Sequence, residues 1–172
     1  MPEPAYMKIV GKTQDDISEG ANTAESMGND YQEEFEDEII VQAFEHTIHR
    51  PTNPQTGQPS GPAVHSPITI TKIFDKSSPQ LYLAMVTGER LEECEIRFFR
   101  TTDEGEKEHY FTISLEDATI VDIKAVMPNA QDPKNASFTH MEEVSFSYNK
   151  IVWTHEVAST EGDFSWKEIA AG

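Results

Sequence analysis

The stretch PITITKIFDKSSPQLYLAMVTG, residues 67–88, sets two different periods side by side. Its first part, Pro67 to Phe74, is β-branched and strand-like. The second part changes rhythm. Ser78 stands as an N-cap, Pro79 occupies the first helical position and Gly88 falls just past the end. Leu81, Ala84 and Met85 follow at helical spacing, with Tyr82 and Val86 beside them. This predicts one helix of about ten residues, near 78–87, plugging an end or side of a β structure.

Outward from that segment, period two dominates. Tyr6, Lys8 and Val10 oppose Met7 and Ile9 in a short first strand ended by Gly11. Ile39 to His49 alternates again, and strands return at Glu92–Arg100, Glu108–Ser114, Ala118–Val126 and Glu143–Glu156. The last of these, EVSFSYNKIVWTHE, reads as one long segment continuing a single sheet past a bend near Asn149. Turn signals stand at Asp103-Glu104-Gly105 and Glu116-Asp117, and MPNAQDPKNA (127–136) marks a longer loop. Lys12 to Glu38 is polar and acidic, and reads as loop with short extended pieces. Many short strands with one helix indicate an all-β barrel or sandwich. Phe98-Phe99 and Ile39-Ile40-Val41 are apolar on both faces of their strands. Something must cover the outside as well, and a neighbouring subunit is the simplest cover.

The loop before residue 67 is unusual. From Pro51 to Thr71 there is no Asp, Glu, Lys or Arg, although 26% of the chain is charged. PTNPQTGQPSGPAV (51–64) has almost nothing apolar to bury. Its four prolines remove backbone donors, and Gly57 and Gly61 raise the cost of ordering. It is predicted to be a long exposed loop. Its lack of charge suits contact, because a partner can bury amides and prolines without desolvating ions. The other reading is a solvated connector with no partner.

A net charge of −18 argues against nucleic acid and against anionic membrane surfaces. No segment approaches the roughly 20 apolar residues of a membrane span, so no stable membrane insertion is expected. MPEPAYMKIV lacks a basic region and an apolar run, which predicts no signal peptide. The single cysteine, Cys94, sits inside LEECEIRFF and reads as a buried strand thiol.

Catalytic patterns are missing. The histidines His46, His49, His65, His109, His140 and His155 form no HxH or HExxH. On a strand, His46 and His49 point to opposite faces and are poor joint ligands. The pairs Glu92-Glu93 and Glu142-Glu143 resemble acid/base dyads, but strand neighbours diverge. There is no GxSxG, P-loop, GxGxxG or EF-hand loop. The sequence predicts no enzyme, no catalytic residue, no metal and no cofactor.

Several stretches together resemble the Hcp family, the inner-tube protein of the bacterial type VI secretion system. They are PAYMKIVG (4–11), ISEGANTAESMGNDYQE (17–33), EDEIIVQAFEH (36–46), PTNPQTGQPSG (51–61) and HSPITITKIFDKSSPQL (65–81). GERL (88–91), RTT (100–102), EHYFT (108–112), LEDATIVDIK (115–124) and IVWTHE (151–156) complete the set. The resemblance runs in unbroken order over roughly residues 2 to 157.

That resemblance implies a phage tail-tube-like β-barrel of antiparallel strands, with one short α-helix and a long extended loop. It implies a single domain over 1–172, with about 158–172 a flexible or loosely docked C-terminal tail. Six copies would form a ring, and rings would stack into a hollow tube. The tube's partners would be a spike protein, a contractile sheath and effector proteins carried in the lumen. Its location would be the bacterial cytoplasm, then the extracellular space or a target cell. The loop matching 50–65 would reach an adjacent ring, which makes Pro54, Gln55, Thr56, Gly57, Gln58 and Pro59 the stacking candidates. Two departures lie in the acidic N-terminal third. Asp15-Asp16 stands where many members have Gly after the Gln, and Glu34-Phe35 replaces a common Gly-His. The rival reading is a monomeric β-barrel binding module with the 50–65 loop as lid. A third is a secreted hydrolase using an Asp/Glu pair.

Overall fold

Strand formation follows the alternation. In the computed structural model, which describes residues 2–166, the chain begins with β1 (Ala5–Gly11) and β2 (Asp15–Asp16). A four-residue helix, α1 (Ala24–Met27), and 3-10 turns at Gly28–Asp30 and Glu33–Phe35 follow. Next come β3 (Ile39–Val41), β4 (Ala43–Glu45), β5 (Ile48–His49), β6 (Val64–His65), β7 (Ile68–Ile73) and the helix α2 (Ser78–Thr87). The remainder is β8 (Leu91–Thr101), β9 (Lys107–Glu116), β10 (Thr119–Val126), β11 (Met141–Ser147), β12 (Lys150–His155) and β13 (Thr160–Ser165).

The strands form a sheet in the order β13-β12-β9-β8-β1-β2, with β3 also on β1. A second sheet has the order β10-β11-β7-β4, and β5-β6 is a separate hairpin. Every pairing is antiparallel. The fold is all-β, as expected, with its two main sheets left open and not joined into one closed ladder. Between them lies the core, where Met7, Ile9, Ile39, Val41, Ile70, Leu81, Ile96, Ile113, Val144, Phe146 and Ile151 are all buried.

Two expected continuous strands are instead corners. Ile39–His49 leaves the larger sheet after Val41 and enters the smaller one at Ala43, with the Gln42 amide donating to Thr71 O at 2.8 Å. Likewise β11 lies in the smaller sheet and β12 in the larger, so the chain changes sheet at Tyr148-Asn149 and does not continue one sheet. Each crossing lets one alternating run supply both walls of the core.

Helix α2 spans the predicted 78–87, one residue displaced at its start: Ser77 is the capping position and makes no side-chain cap. Gly88 takes the left-handed conformation, φ 69°, and donates its amide back to Ala84 O and Met85 O. A second short helix, α1, adds to the single one expected; the Thr23 hydroxyl accepts from the Ser26 amide at its start. Of the expected tail, Thr160–Ser165 pairs along β12, while residues 167–172 lie outside the described residues.

The apolar outer faces are partly covered from within the chain, while Phe98 and Phe99 stay half-buried and line an open groove. Phe35, in the acidic segment, stacks on Tyr6 with centroids 3.7 Å apart and meets Phe99 edge-on at 5.2 Å. Ile40 is buried in the same cluster, while Ile39 and Val41 face the main core. Phe98 packs edge-on to Phe44 at 5.3 Å. The acidic segment is therefore a lid over the back of the larger sheet, fastened by one aromatic ring and by the Arg97–Glu38 ion pair.

Candidate functional site

The uncharged stretch is an ordered arm. Thr52 and Pro59 bridge as antiparallel partners. Inside that bridge the Asn53 amide donates to Gln58 O and the Gly57 amide to Asn53 O, each at 2.8 Å. Asn53 Oδ1 accepts from the Gln55 amide at 2.8 Å, closing a local side-chain turn. Gly57 has φ 72°, a conformation that favours glycine, and open space where a Cβ would stand. Below, the Ser60 amide donates to Pro51 O at 2.8 Å. The arm thus satisfies much of its backbone by itself, which is how so apolar-poor a segment holds a shape. Pro54, Gln55, Thr56, Gly57, Gln58 and Pro59 are together at its tip, all exposed.

At its root the arm is held by three devices. The Ser66 amide donates to Thr47 O at 3.0 Å, and Ile48 and His49 pair with His65 and Val64. The third is a cluster that sequence reasoning missed. His46 Nε2 lies 2.9 Å and His65 Nδ1 2.6 Å from the same Tyr148 hydroxyl. The His65 ring stacks on Phe164 of β13 with centroids 4.1 Å apart and meets Trp166 at 5.4 Å. Burial lowers the pKa of both imidazoles, and the neighbouring His65 lowers that of His46 further. Burial also pushes the Tyr148 phenol up. His46 lies between β4 and β5 and is half-buried, whereas His49 on β5 is exposed. The partner of His46 lies across the arm, so no local spacing announces it.

The chain fits a family model, described as type VI secretion system effector, Hcp, over residues 6–155. The major exported protein of Pseudomonas aeruginosa is 54% identical over 172 residues, covering 100% of both chains. This chain belongs to the Hcp family. A crystal structure of an Hcp protein matches with a TM-score of 0.90 at 47% identity, covering 95% of this chain and 99% of that one. The secreted protein Hcp3 from Pseudomonas aeruginosa matches with a TM-score of 0.80 at 47% identity, over 95% and 97% of the two chains. As an Hcp-family member, the chain is a type VI secretion protein.

Elsewhere on this Hcp-family chain, several groups with chemical potential are engaged structurally. Glu142 is fully buried against Lys72, while Glu143 on the next position faces the other way and is only half-buried. His109 Nε2 lies 2.7 Å from Thr112 Oγ1, whose hydroxyl donates to Glu156 at 2.7 Å. Cys94 is buried, and burial pushes its thiol up. Among the described residues no group of His, Cys, Asp and Glu is arranged to hold a metal ion, and no helix is long and apolar enough to cross a membrane. Exposed apolar side chains gather instead on α2 (Leu83, Val86), at Phe74, and on and after β10 (Val121, Val126, Met127).

Proposed function

We propose that this chain is the subunit of a type VI secretion tube: six copies close into a ring, rings stack into a hollow tube, and the tube is driven into a target cell. The observation that carries the reading is the arm. An ordered, uncharged, self-bonded hairpin projecting from an all-β body has little to do on a solitary protein and suits insertion against another copy. Membership in the Hcp family supports it. A head-to-tail ring joins two different surfaces of one subunit, and the exposed residues of α2 and β10 supply apolar area away from the arm. In this reading Pro54 to Pro59 contact the adjacent ring, a spike protein sits at the tube tip, a contractile sheath surrounds it and effectors travel in its lumen. The protein passes from the cytoplasm to the outside.

A lidded ligand module is disfavoured by the position of the main groove. That groove, about 690 Å³, is lined by Ala5, Val41, Phe44, Phe98, Arg100 and Tyr110 among others, and by no residue of the arm. Native mass spectrometry and negative-stain electron microscopy of the purified protein test the proposal. A six-subunit species and ring-shaped particles are expected; a monomer at every concentration overturns it.

A further inference from the structure

The His46–Tyr148–His65 cluster joins three parts of the chain that the backbone leaves far apart. His46 precedes the arm, His65 ends it, and Tyr148 stands at the corner where the chain passes from β11 to β12. His65 in turn lies against β13 through Phe164. One hydroxyl serves two imidazoles, and a hydroxyl has a single hydrogen.

With both rings neutral, one of the two nitrogens beside Tyr148 accepts from its hydroxyl and the other donates to it. Where His46 Nε2 is the acceptor, a proton there turns it into a donor, and the hydrogen of Tyr148, a residue only 5% exposed, loses its partner.

We propose that the root of the arm is a proton-operated latch: protonation of His46 breaks the relay through Tyr148 and loosens the 47–66 excursion from the C-terminal edge strand. The charged groups beside His46 are Glu45 on β4 and Asp122 on β10, which line the same cavity. Neither is hydrogen-bonded to the ring. Around His65 the packing groups are the uncharged rings of Phe164, Trp166 and Trp153. Asp163 on β13 is turned to Lys150, 3.9 Å away. Among the described residues no carboxylate is therefore placed to receive an imidazolium by a direct bond. Because the folded root favours the neutral ring, its stability is complete above the ordinary histidine pKa of about 6.5 and declines as pH falls below it.

The latch itself does not depend on the tube; only its consequence, the parting of stacked rings in mild acid, rests on the reading above. Hydrogen–deuterium exchange of the full chain, read by mass spectrometry and corrected for intrinsic rates, tests it on peptides spanning 46–66. Protection is expected to fall measurably between about pH 7 and about pH 5. Peptides of β8 and β9 should not change. In His46→Gln, whose side-chain oxygen accepts from Tyr148 at any pH, the fall in protection should be smaller than in the unaltered protein. Exchange of the imidazole carbon-bound hydrogen gives the pKa of His46 in the unaltered protein, expected below about 6.5. A His46 pKa at or above that value, or unchanged arm protection across the range, overturns the latch. If instead the latch opens and rings remain stacked, the arm's role in stacking fails and the latch stands.

Discussion

Lys72 on β7 and Glu142 on β11 stand directly opposite each other in the smaller sheet, and both side chains are wholly withdrawn from solvent. Around them the pair is completed by hydrogen bonds. Lys72 Nζ donates to Ser78 Oγ at 3.0 Å and lies 3.1 Å from Asp75, while Ser78 Oγ donates to Glu142 at 2.7 Å and Tyr82 donates to its other oxygen. This cluster ties the start of α2 to the sheet beneath it. Removing one member leaves a buried charge without compensation, which costs roughly 3–5 kcal/mol. Lys72→Met and Glu142→Leu should each destabilise by about that amount in chemical denaturation. The double variant should recover part of the loss, because the Glu142 charge is removed with its partner while the buried Asp75 still loses Lys72. Additive losses in the double variant would show that the ions do not act as a pair.

Alkaline pH should unfold the protein through its tyrosines. Burial raises the Tyr6 phenol to about 12, helped by the charges of Glu34, Glu3 and Glu38. Burial likewise raises Tyr82 to about 12, helped by its hydrogen bond to Glu142 and that residue's charge. Both favour the protonated form in the folded state. Their stabilising contribution is therefore complete below the ordinary value of about 10 and is lost as pH rises toward about 12. Circular dichroism and phenolate absorbance should change together in one step across that interval. Phenolate forming near 10 with the fold intact would contradict this.

Phe35 fastens the acidic segment to the back of the larger sheet. Truncating a buried phenylalanine costs about 3 kcal/mol or more, and this one lies in a small outer cluster, so the lower figure applies. Phe35→Ala should therefore lower stability by about 3 kcal/mol and expose 28–38 to protease, while the core strands keep their exchange protection. Equal protease resistance in the variant would mean that Arg97 and Glu38 hold the segment without the ring.

The local rules were legible where one element serves one purpose. The span of α2 follows from Pro79, Gly88 and the spacing of Leu81 and Ala84. What alternation does not encode is which sheet a strand joins. Ile39–Glu45 and Glu143–His155 keep their period across a corner, so nothing in the pattern marks Gln42 or Tyr148-Asn149 as a crossing. Phe99 and Ile40 read as greasy outside positions because their cover, Phe35, sits in a stretch dominated by acid and small residues. The arm was visible from its missing charge. Its root was not: His46 and His65 are separated by the arm itself, and Tyr148 comes from the far end of the chain.

Assembly should depend on ionic strength. Each copy carries −18, with ten acidic residues and one lysine between Lys12 and Glu38. At about 0.01 M salt such charges act over roughly 30 Å, and at about 0.1 M over roughly 10 Å. Copies brought into a ring repel most strongly in dilute buffer. Analytical ultracentrifugation should show larger assemblies at physiological than at low salt; a smaller or unchanged assembly would count against it.

The arm can be removed without touching its root. Its closing bonds run within 51–60, and the hairpin that carries it ends in the pair His49 and Val64. Deleting Thr52–Gly61 leaves Arg50, Pro51, Pro62 and Ala63 to connect them, within the usual two to five residues of a hairpin loop. Adding Pro51→Asn and Pro62→Gly supplies the backbone freedom such a turn requires. The shortened chain should fold with a melting temperature near that of the full protein, since all the removed residues are exposed or half-exposed. Rings should persist in native mass spectrometry, because the exposed apolar surfaces of α2 and β10 are intact. Stacks in electron micrographs, and export from a secreting strain, should be lost. If stacks survive, Pro54 to Pro59 are not the stacking contact; if the shortened chain does not fold, the arm is part of the body and not a docking device.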